Sequence, residues 1–225
     1  MIEDQTDQVY LYFMKLGGQS YVVYLIWAVL GLELGLSLSN GRYSLAFVAL
    51  STLVLSLAPV IFADRFDIRL PVHFFAGIVL FIFGTVYLGE AFGFYEKYWW
   101  WDILLHGGSA MGFGLIGFIF VFILFEGDKY AAPHWALALI AFCIAITIGT
   151  LWEVFEFGMD QVFGMNMQKT GLIDTMWDLV VNICGAAIGA ASGFGYLKGG
   201  ERHGLSGMIG EFVAKNRRLF KRKKR

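Results

Sequence analysis

The sequence predicts an all-α integral membrane protein built as a bundle of six transmembrane helices. Of the 225 residues, 58% are hydrophobic and only 16% are charged, whereas a soluble domain carries about 25% charged residues. Apolar runs of about 18–25 residues recur along the chain, and each can cross a hydrocarbon core roughly 30 Å thick. Turn residues or charges separate these runs. Together these observations exclude an ordinary soluble domain.

The six predicted spans are separated by short polar or glycine-containing breaks. They cover residues 20–38, 43–62, 70–88, 99–125, 134–157 and 173–197. Pro71 suits the first turn of the third span, where its missing N–H costs nothing. The chain starts with the acidic stretch MIEDQTDQ, unlike the basic start of a signal peptide, so we expect the first span itself to direct insertion.

The distribution of basic residues predicts the orientation of the spans. An even number of spans places both termini on one side of the membrane. That side carries fourteen Lys and Arg residues, ten of them after position 197, and the other side carries three: Arg42, Lys97 and Lys169. Because basic residues favour the cytoplasmic side, we expect both termini in the cytoplasm. Residues 1–19 then form a cytoplasmic or interfacial segment, 20–197 the membrane domain and 198–225 a basic cytoplasmic tail.

Acidic residues show the opposite distribution. Nine lie in the predicted outer half: Glu33, Glu90, Glu96, Asp102, Glu153, Glu156, Asp160, Asp174 and Asp178. With three bases on that side, the outer face should attract cations. An aromatic cluster at the outer start of the fourth span, comprising Tyr95, Tyr98 and residues 99–101, is typical of an anchor at the membrane interface.

Three patterns of polar residues lie at the outer ends of the fourth, fifth and sixth spans. Their members are Asp102 and His106, then Glu153, Glu156 and Asp160, and finally Asp174, Asp178 and Asn182. Spacings of three or four residues place the members of each pattern on one helix face. Ionisable groups at membrane depth are costly, and their convergence at one depth therefore indicates a functional site.

The polar face of the sixth span continues as a stripe of small residues. A step of three leads from Asn182 to Gly185, and steps of four continue to Gly189 and Gly193. Small residues at this spacing allow a neighbouring helix to approach closely. We therefore expect this face, with its acids, to point into the bundle.

A divalent cation is the simplest counter-charge for such a group of acids. Close carboxylates cannot all be ionised without one. Asp, Glu and a single His suit Mg, Mn, Zn or Fe(II). The candidate ligands are Asp102, His106, Glu153, Glu156, Asp174 and Asp178. In the alternative interpretation these polar residues only stabilise the fold. Asp174 would be a helix N-cap, the helix dipole would favour Asp102, and polar pairs would hold neighbouring helices together.

The longest outer connection, residues 161–171, lies over the predicted site. It mixes apolar and polar residues, and Lys169 within it could meet an anionic head group. We therefore assign substrate binding to Asp160, Lys169 and Asn182. An ordinary interfacial loop is the alternative.

Three motifs carry a resemblance to a known family. W-D-I-L-L-H-G-G, L-W-E-V-F-E-F-G-M-D and D-T-M-W-D-L-V-V-N-I-C-G, in this order, resemble the YjdF-like proteins of the bacterial inner membrane. The resemblance covers roughly residues 20–200 and implies a location in that membrane, but no biochemical activity. Family members often carry Lys where Ile103 stands, and a glycine-rich lead into the last motif where this chain has residues 170–173.

A second, more limited similarity is to VanZ-like membrane proteins. Asp178, Asn182 and Gly185 fit their pattern Asp-x3-Asn-x2-Gly. Some of those proteins influence resistance to glycopeptide antibiotics, which implies work near the cell envelope. Fold similarity alone does not fix function.

The basic tail predicts contact with lipids. Met208, Ile209, Phe212, Val213 and Phe220 form an apolar stripe among Lys and Arg residues. A helix of this kind lies on the anionic inner leaflet. We expect membrane lipids, and not nucleic acid, as its partner.

Two functions follow as rival hypotheses. The first is metal-dependent hydrolysis or transfer on a lipid-linked envelope substrate, although no nucleophile motif accompanies the acids. The second is a non-enzymatic accessory or assembly subunit, whose glycine faces contact partner membrane subunits or a second copy of the chain. A transporter is disfavoured because no ionisable trail crosses the membrane and no inverted repeat is apparent.

Overall fold

The computed structural model describes residues 18–125, 132–199 and 203–220. Within these ranges the chain forms seven helices longer than two turns, one single-turn helix and no strand. The seven are α1 (Tyr21–Ser39), α2 (Tyr43–Arg65), α3 (Val72–Ile82, continued by the π-helix Phe83–Ala91), α4 (Trp99–Phe125), α5 (His134–Phe163), α6 (Leu172–Leu197) and α7 (Gly204–Lys215). The single-turn helix is Phe94–Lys97.

Helices α1 to α6 are each long and apolar enough to cross a membrane. The predicted fold class is confirmed, and the chain is a multi-pass membrane protein. One predicted boundary was wrong: α5 ends at Phe163 rather than at residue 157. The helix stops there because Gly164 adopts a left-handed conformation with φ of 64° and donates its N–H to the Asp160 carbonyl.

The chain divides into two compact units, Met1–Gly93 and Phe94–Arg225. In the first unit, α1, α2 and α3 enclose an apolar core. Its buried members are Val23, Ile26, Leu30, Ala49, Phe75, Val79 and Tyr87. Polar side chains in this unit pair with one another: Trp27 Nε1 of α1 donates to Ser56 Oγ of α2 at 2.8 Å. Ser37 donates to Glu33 at 2.6 Å, and Arg42 lies 3.5 Å from the same carboxylate.

In the second unit, α4 and α6 approach each other through glycine. A methyl group at Gly185 would collide with the Gly107 carbonyl oxygen, and one at Gly189 with that of Met111. At Gly193 it would meet the ring of Phe118. The buried residues of α6 fall on this one side and include both Asp178 and Asn182. The prediction that the glycine face carries the polar groups into the bundle is therefore confirmed.

Within the second unit, α7 packs against α6 and α4 through its apolar residues. Ile209 and Phe212 are buried, and Ser206 Oγ donates to the Ser192 carbonyl at 2.9 Å. Phe220 follows the helix and lies 5.2 Å from the ring of Phe122. Much of the predicted apolar stripe is thus covered by the protein itself. Residues 221–225 of the basic tail lie outside the described residues, and lipid contact by the tail stays a prediction.

Candidate metal site

His106 is the centre of the polar group that the second unit encloses. Its Nε2 lies 3.6 Å from Asp102 Oδ1 and 3.9 Å from Asp178 Oδ1. Its Nδ1 lies 3.6 Å from Glu153 Oε1. His106 is 9% exposed, Glu153 3% and Asp178 4%. Side chains from α4, α5 and α6 therefore share one buried pocket.

The local sequence explains how this pocket forms. Asp102 and His106 are one turn apart on α4 and so project from the same face. Asp178 lies on the glycine-bearing face of α6, and the contact of Gly185 with Gly107 lets the two backbones come close. Asp178 is thereby brought beside His106. Glu153 is the buried acid of α5.

The donor atoms of three residues are spaced as a single cation requires. One ligand atom each from Asp102, His106 and Asp178 lie within 4.8 Å of one another. Metal–ligand distances in proteins are about 2.0–2.6 Å, so donors around one ion are separated by no more than about 4–5 Å. Two carboxylates and one imidazole suit Mn, Zn or Fe(II), and Mg less strongly.

Unpartnered buried atoms lie next to this group of three. Both carboxylate oxygens of Glu153, and Nδ2 of Asn182, are buried and have no hydrogen-bond partner among the described residues. Buried polar atoms are nearly always paired, and a carboxylate left unpaired in a low dielectric is especially costly. Two carboxylates and an imidazole beside this unpaired buried carboxylate fit a divalent cation. The Nδ2 of Asn182 can only donate a hydrogen bond, so it does not bind the cation.

Asn182 lies between the site and α5. Its side chain neighbours the His106 imidazole and packs on Gly149, where a methyl group would come within 2.8 Å of Asn182 Nδ2. A larger residue at position 149 would displace this amide. The predicted substrate-binding residue Asn182 is thus adjacent to the three possible metal ligands.

Three predicted ligands lie outside the group of three: Glu153, Glu156 and Asp174. Glu156 is partly exposed and accepts a hydrogen bond of 2.9 Å from Trp152 Nε1. Asp174 is partly buried in the first turn of α6. Its interpretation as an N-cap was wrong, because the cap position is Gly171.

Asp160 braces the loop that connects α5 and α6. One of its oxygens accepts the Met167 N–H at 2.7 Å and the other accepts the Gln168 N–H at 2.9 Å. Gln168 Nε2 also donates to Thr175 Oγ1 at 2.6 Å, which fixes the loop to α6. Since both Asp160 oxygens bind backbone, the structure gives this predicted substrate-binding residue a role in loop geometry.

We predict that Asp160→Ala frees residues 164–171 while α4 to α6 stay folded. Two charge-assisted hydrogen bonds are lost, each worth about 1.5–3 kcal/mol. Hydrogen exchange at the Met167 and Gln168 amides should accelerate by at least about tenfold. Asp160→Asn keeps one acceptor oxygen and should show an intermediate rate. Unchanged exchange in Asp160→Ala would mean that another contact holds the loop.

Lys169 extends from the same loop to the edge of the site. Its Nζ lies 3.4 Å from Asp102 Oδ2 and 3.5 Å from the Tyr95 carbonyl oxygen. It also lies 4.4 Å from the centre of the Tyr95 ring, a cation–π contact. Asp102 therefore faces His106 with one oxygen and Lys169 with the other. The sequence predicted Lys169 here but placed Tyr95 only in an interfacial anchor.

Comparison with known proteins places the chain in a family. The model of a family described as "Predicted membrane protein (DUF2238)" matches residues 20–199. An uncharacterized protein of Thermotoga maritima is 33% identical over 98 residues, which are 44% of this chain and 50% of that relative, so the similarity spans half of the relative's length. No solved structure matches the chain. Since the family match includes all six spans and the residues of the site, the chain belongs to the DUF2238 family of membrane proteins.

Proposed function

We propose that this protein is a bacterial inner-membrane enzyme that binds a divalent cation through Asp102, His106 and Asp178. The reaction is hydrolysis or group transfer on a lipid-linked substrate of the cell envelope. One observation carries this proposal: the three donor atoms lie within 4.8 Å of one another, with Asp178 buried and Asp102 partly exposed. The resemblance to YjdF-like proteins favours the same membrane.

The residues of the site suit a phosphate-bearing substrate. When bound, a divalent cation would polarise a phosphoryl oxygen or lower the pKa of a water molecule. Asp102, His106 and Asp178 would hold it. Asn182, whose buried Nδ2 has no partner in the described part of the chain, could donate a hydrogen bond to substrate. Lys169 at the edge of the site supplies a positive charge for an anionic head group.

The position of the site along the helices favours a lipid as substrate. Asp102 and Asp174 belong to the first turns of α4 and α6, and Asp160 lies in the last turn of α5. His106 and Asp178 lie one turn beyond Asp102 and Asp174, so the three possible ligands are close to one end of α4 and α6. We expect this end near the level of the lipid head groups. The excess of basic residues at the opposite end favours an outward-facing site and cytoplasmic termini.

A phosphatase assay tests the proposed reaction. The purified protein would be reconstituted in vesicles that contain phosphatidic acid or a polyprenyl pyrophosphate, with Mn²⁺ or with EDTA. We expect Mn²⁺-dependent release of phosphate that Asp178→Asn abolishes. Bound metal without turnover of any phospholipid would contradict the enzymatic proposal and favour the accessory role.

One argument for the accessory role no longer applies. It assigned the glycine faces to partner helices, but Gly185, Gly189 and Gly193 already contact α4 within the same chain. Contact with partner subunits or a second copy would therefore need other surfaces.

We predict that Lys169→Gln strengthens cation binding and weakens binding of anionic lipid. The Lys169 ammonium lies 3.4 Å from Asp102 and so repels a cation held by that carboxylate. Its removal should raise the affinity for Mn²⁺ about tenfold, as expected from the loss of one nearby charge in a partly buried site. Calorimetric titration measures this change. Lys97→Gln, at an exposed position on the single-turn helix, is the matched control and should leave the affinity within about twofold. An unchanged or lowered affinity in Lys169→Gln would contradict the assignment.

A further inference from the structure

The two nitrogens of His106 face different carboxylates. Nε2 faces both Asp102 and Asp178, while Nδ1 faces Glu153. A histidine that binds a metal uses one nitrogen as ligand and usually donates the N–H of the other to a carboxylate or carbonyl. This division of the ring gives Glu153 a role different from that of the other two acids.

We propose that Glu153 is a positioning residue, which accepts the Nδ1–H of His106 and thereby leaves Nε2 free for the cation. This inference rests on the proposed metal site and revises the prediction that Glu153 is itself a ligand. The three donor atoms within 4.8 Å of one another belong to Asp102, His106 and Asp178, without Glu153. Glu153 also comes from α5, whereas the donor residues come from α4 and α6.

The surroundings of Glu153 suit this role. It is 3% exposed, and neither oxygen has a hydrogen-bond partner among the described residues. The separation of 3.6 Å between Oε1 and Nδ1 exceeds a hydrogen bond of about 2.7–3.2 Å by only a few tenths of an ångström. A small rotation of the ring or carboxylate closes it. Lys169 contacts Asp102, so it leaves the Glu153 oxygens available for His106.

The opposite arrangement is less consistent with the geometry. In the opposite arrangement Nδ1 would bind the cation and Nε2 would carry the proton. The cation would then lie beside Glu153, and both Asp102 and Asp178 would face the protonated Nε2. A cation is held better on the side with two acids. Asn182 also neighbours the imidazole and could accept the N–H of the ring in place of Glu153. For this reason the experiment measures directly which ring nitrogen carries the proton.

The test combines Zn²⁺ titration with NMR of ¹⁵N-histidine-labelled protein. Titration is done on the wild type, Glu153→Gln, Glu153→Ala and Asp178→Asn, each shown to be monodisperse in detergent. The His106 signals are assigned by their loss in His106→Gln. We expect the wild type to bind one Zn²⁺ with Nε2 coordinated and Nδ1 protonated. Glu153→Ala should keep one Zn²⁺ with affinity lowered about 10–100-fold and a mixture of tautomers. Glu153→Gln, which keeps an acceptor oxygen, should lie between.

Three outcomes would overturn the inference in different ways. If Glu153→Gln loses Zn²⁺ as completely as Asp178→Asn, Glu153 is a ligand and only the positioning role fails. If Glu153→Ala matches the wild type in affinity and tautomer, Glu153 has no role toward the cation. If the wild type binds no Zn²⁺ and no Mn²⁺, the proposed metal site itself fails.

Discussion

Asp178→Asn is expected to lower the affinity for Mn²⁺ or Zn²⁺ by about 100-fold or more while the helices stay folded. The substitution keeps the shape of the side chain but removes the negative charge from one of the three donor residues. Loss of an outer-shell partner alone costs 10–100-fold in metal affinity, so loss of a charged ligand should cost at least as much. Calorimetric titration in detergent gives the affinity, and circular dichroism gives the helix content.

Asp160→Asn is the matched control for this prediction. It makes the same chemical change, but at a carboxylate that binds the loop backbone at Met167 and Gln168. Its cation affinity should stay within a few-fold of that of the wild type. Equal losses in both variants would show that general acidity, rather than the pocket around His106, attracts the cation.

Gly189→Leu is expected to prevent close packing of α4 on α6 and so to unfold the second unit. A methyl group at Gly189 would already lie 3.0 Å from Gly114 Cα and nearer still to the Met111 carbonyl oxygen. These are backbone atoms, so they cannot move aside as a flexible side chain would. Even Gly189→Ala should lower the free energy of unfolding by about 1–3 kcal/mol, the usual cost of overpacking.

Thermal unfolding in detergent measures this effect, with Gly195→Ala as the control on the same helix. A methyl group at Gly195 would meet Ser206 Oγ at 3.7 Å, an ordinary contact. That variant should be as stable as the wild type or slightly more so. Because Asp178 lies on the same face of α6, Gly189→Leu should also lose cation binding. A Gly189→Leu protein of unchanged stability would contradict the close contact of the two helices.

Much of this arrangement could be predicted from the sequence. Six long apolar runs are sufficient to identify the spans, since a bilayer demands them. Helical spacing placed Asp102 beside His106, and the glycine stripe placed Asp178 and Asn182 on an inward face. The order of the spans brought three acidic patterns to the same end of the bundle. Each of these inferences depends only on the length of the apolar runs, their order along the chain or the helical spacing of residues.

The rest depends on tertiary packing. Glu153 and Glu156 are three residues apart, so periodicity treats them alike, but packing buries Glu153 and leaves Glu156 partly exposed beside Trp152. The Asp160 carboxylate accepts hydrogen bonds from backbone groups seven and eight positions further along the chain. These bonds depend on the path of the loop, which the sequence does not specify. The contact of Lys169 with Tyr95 joins segments 74 residues apart, and no local pattern indicates it.

Pulsed electron paramagnetic resonance of bound Mn²⁺ tests the central claim most directly, namely that Asp102, His106 and Asp178 hold one cation together. In wild-type protein we expect one Mn²⁺ per chain, with the modulation of a single coordinated imidazole nitrogen. His106→Gln should lose that modulation, and Asp178→Asn should lose the bound ion. Wild-type protein without stoichiometric Mn²⁺, or an imidazole signal that persists in His106→Gln, would contradict the account.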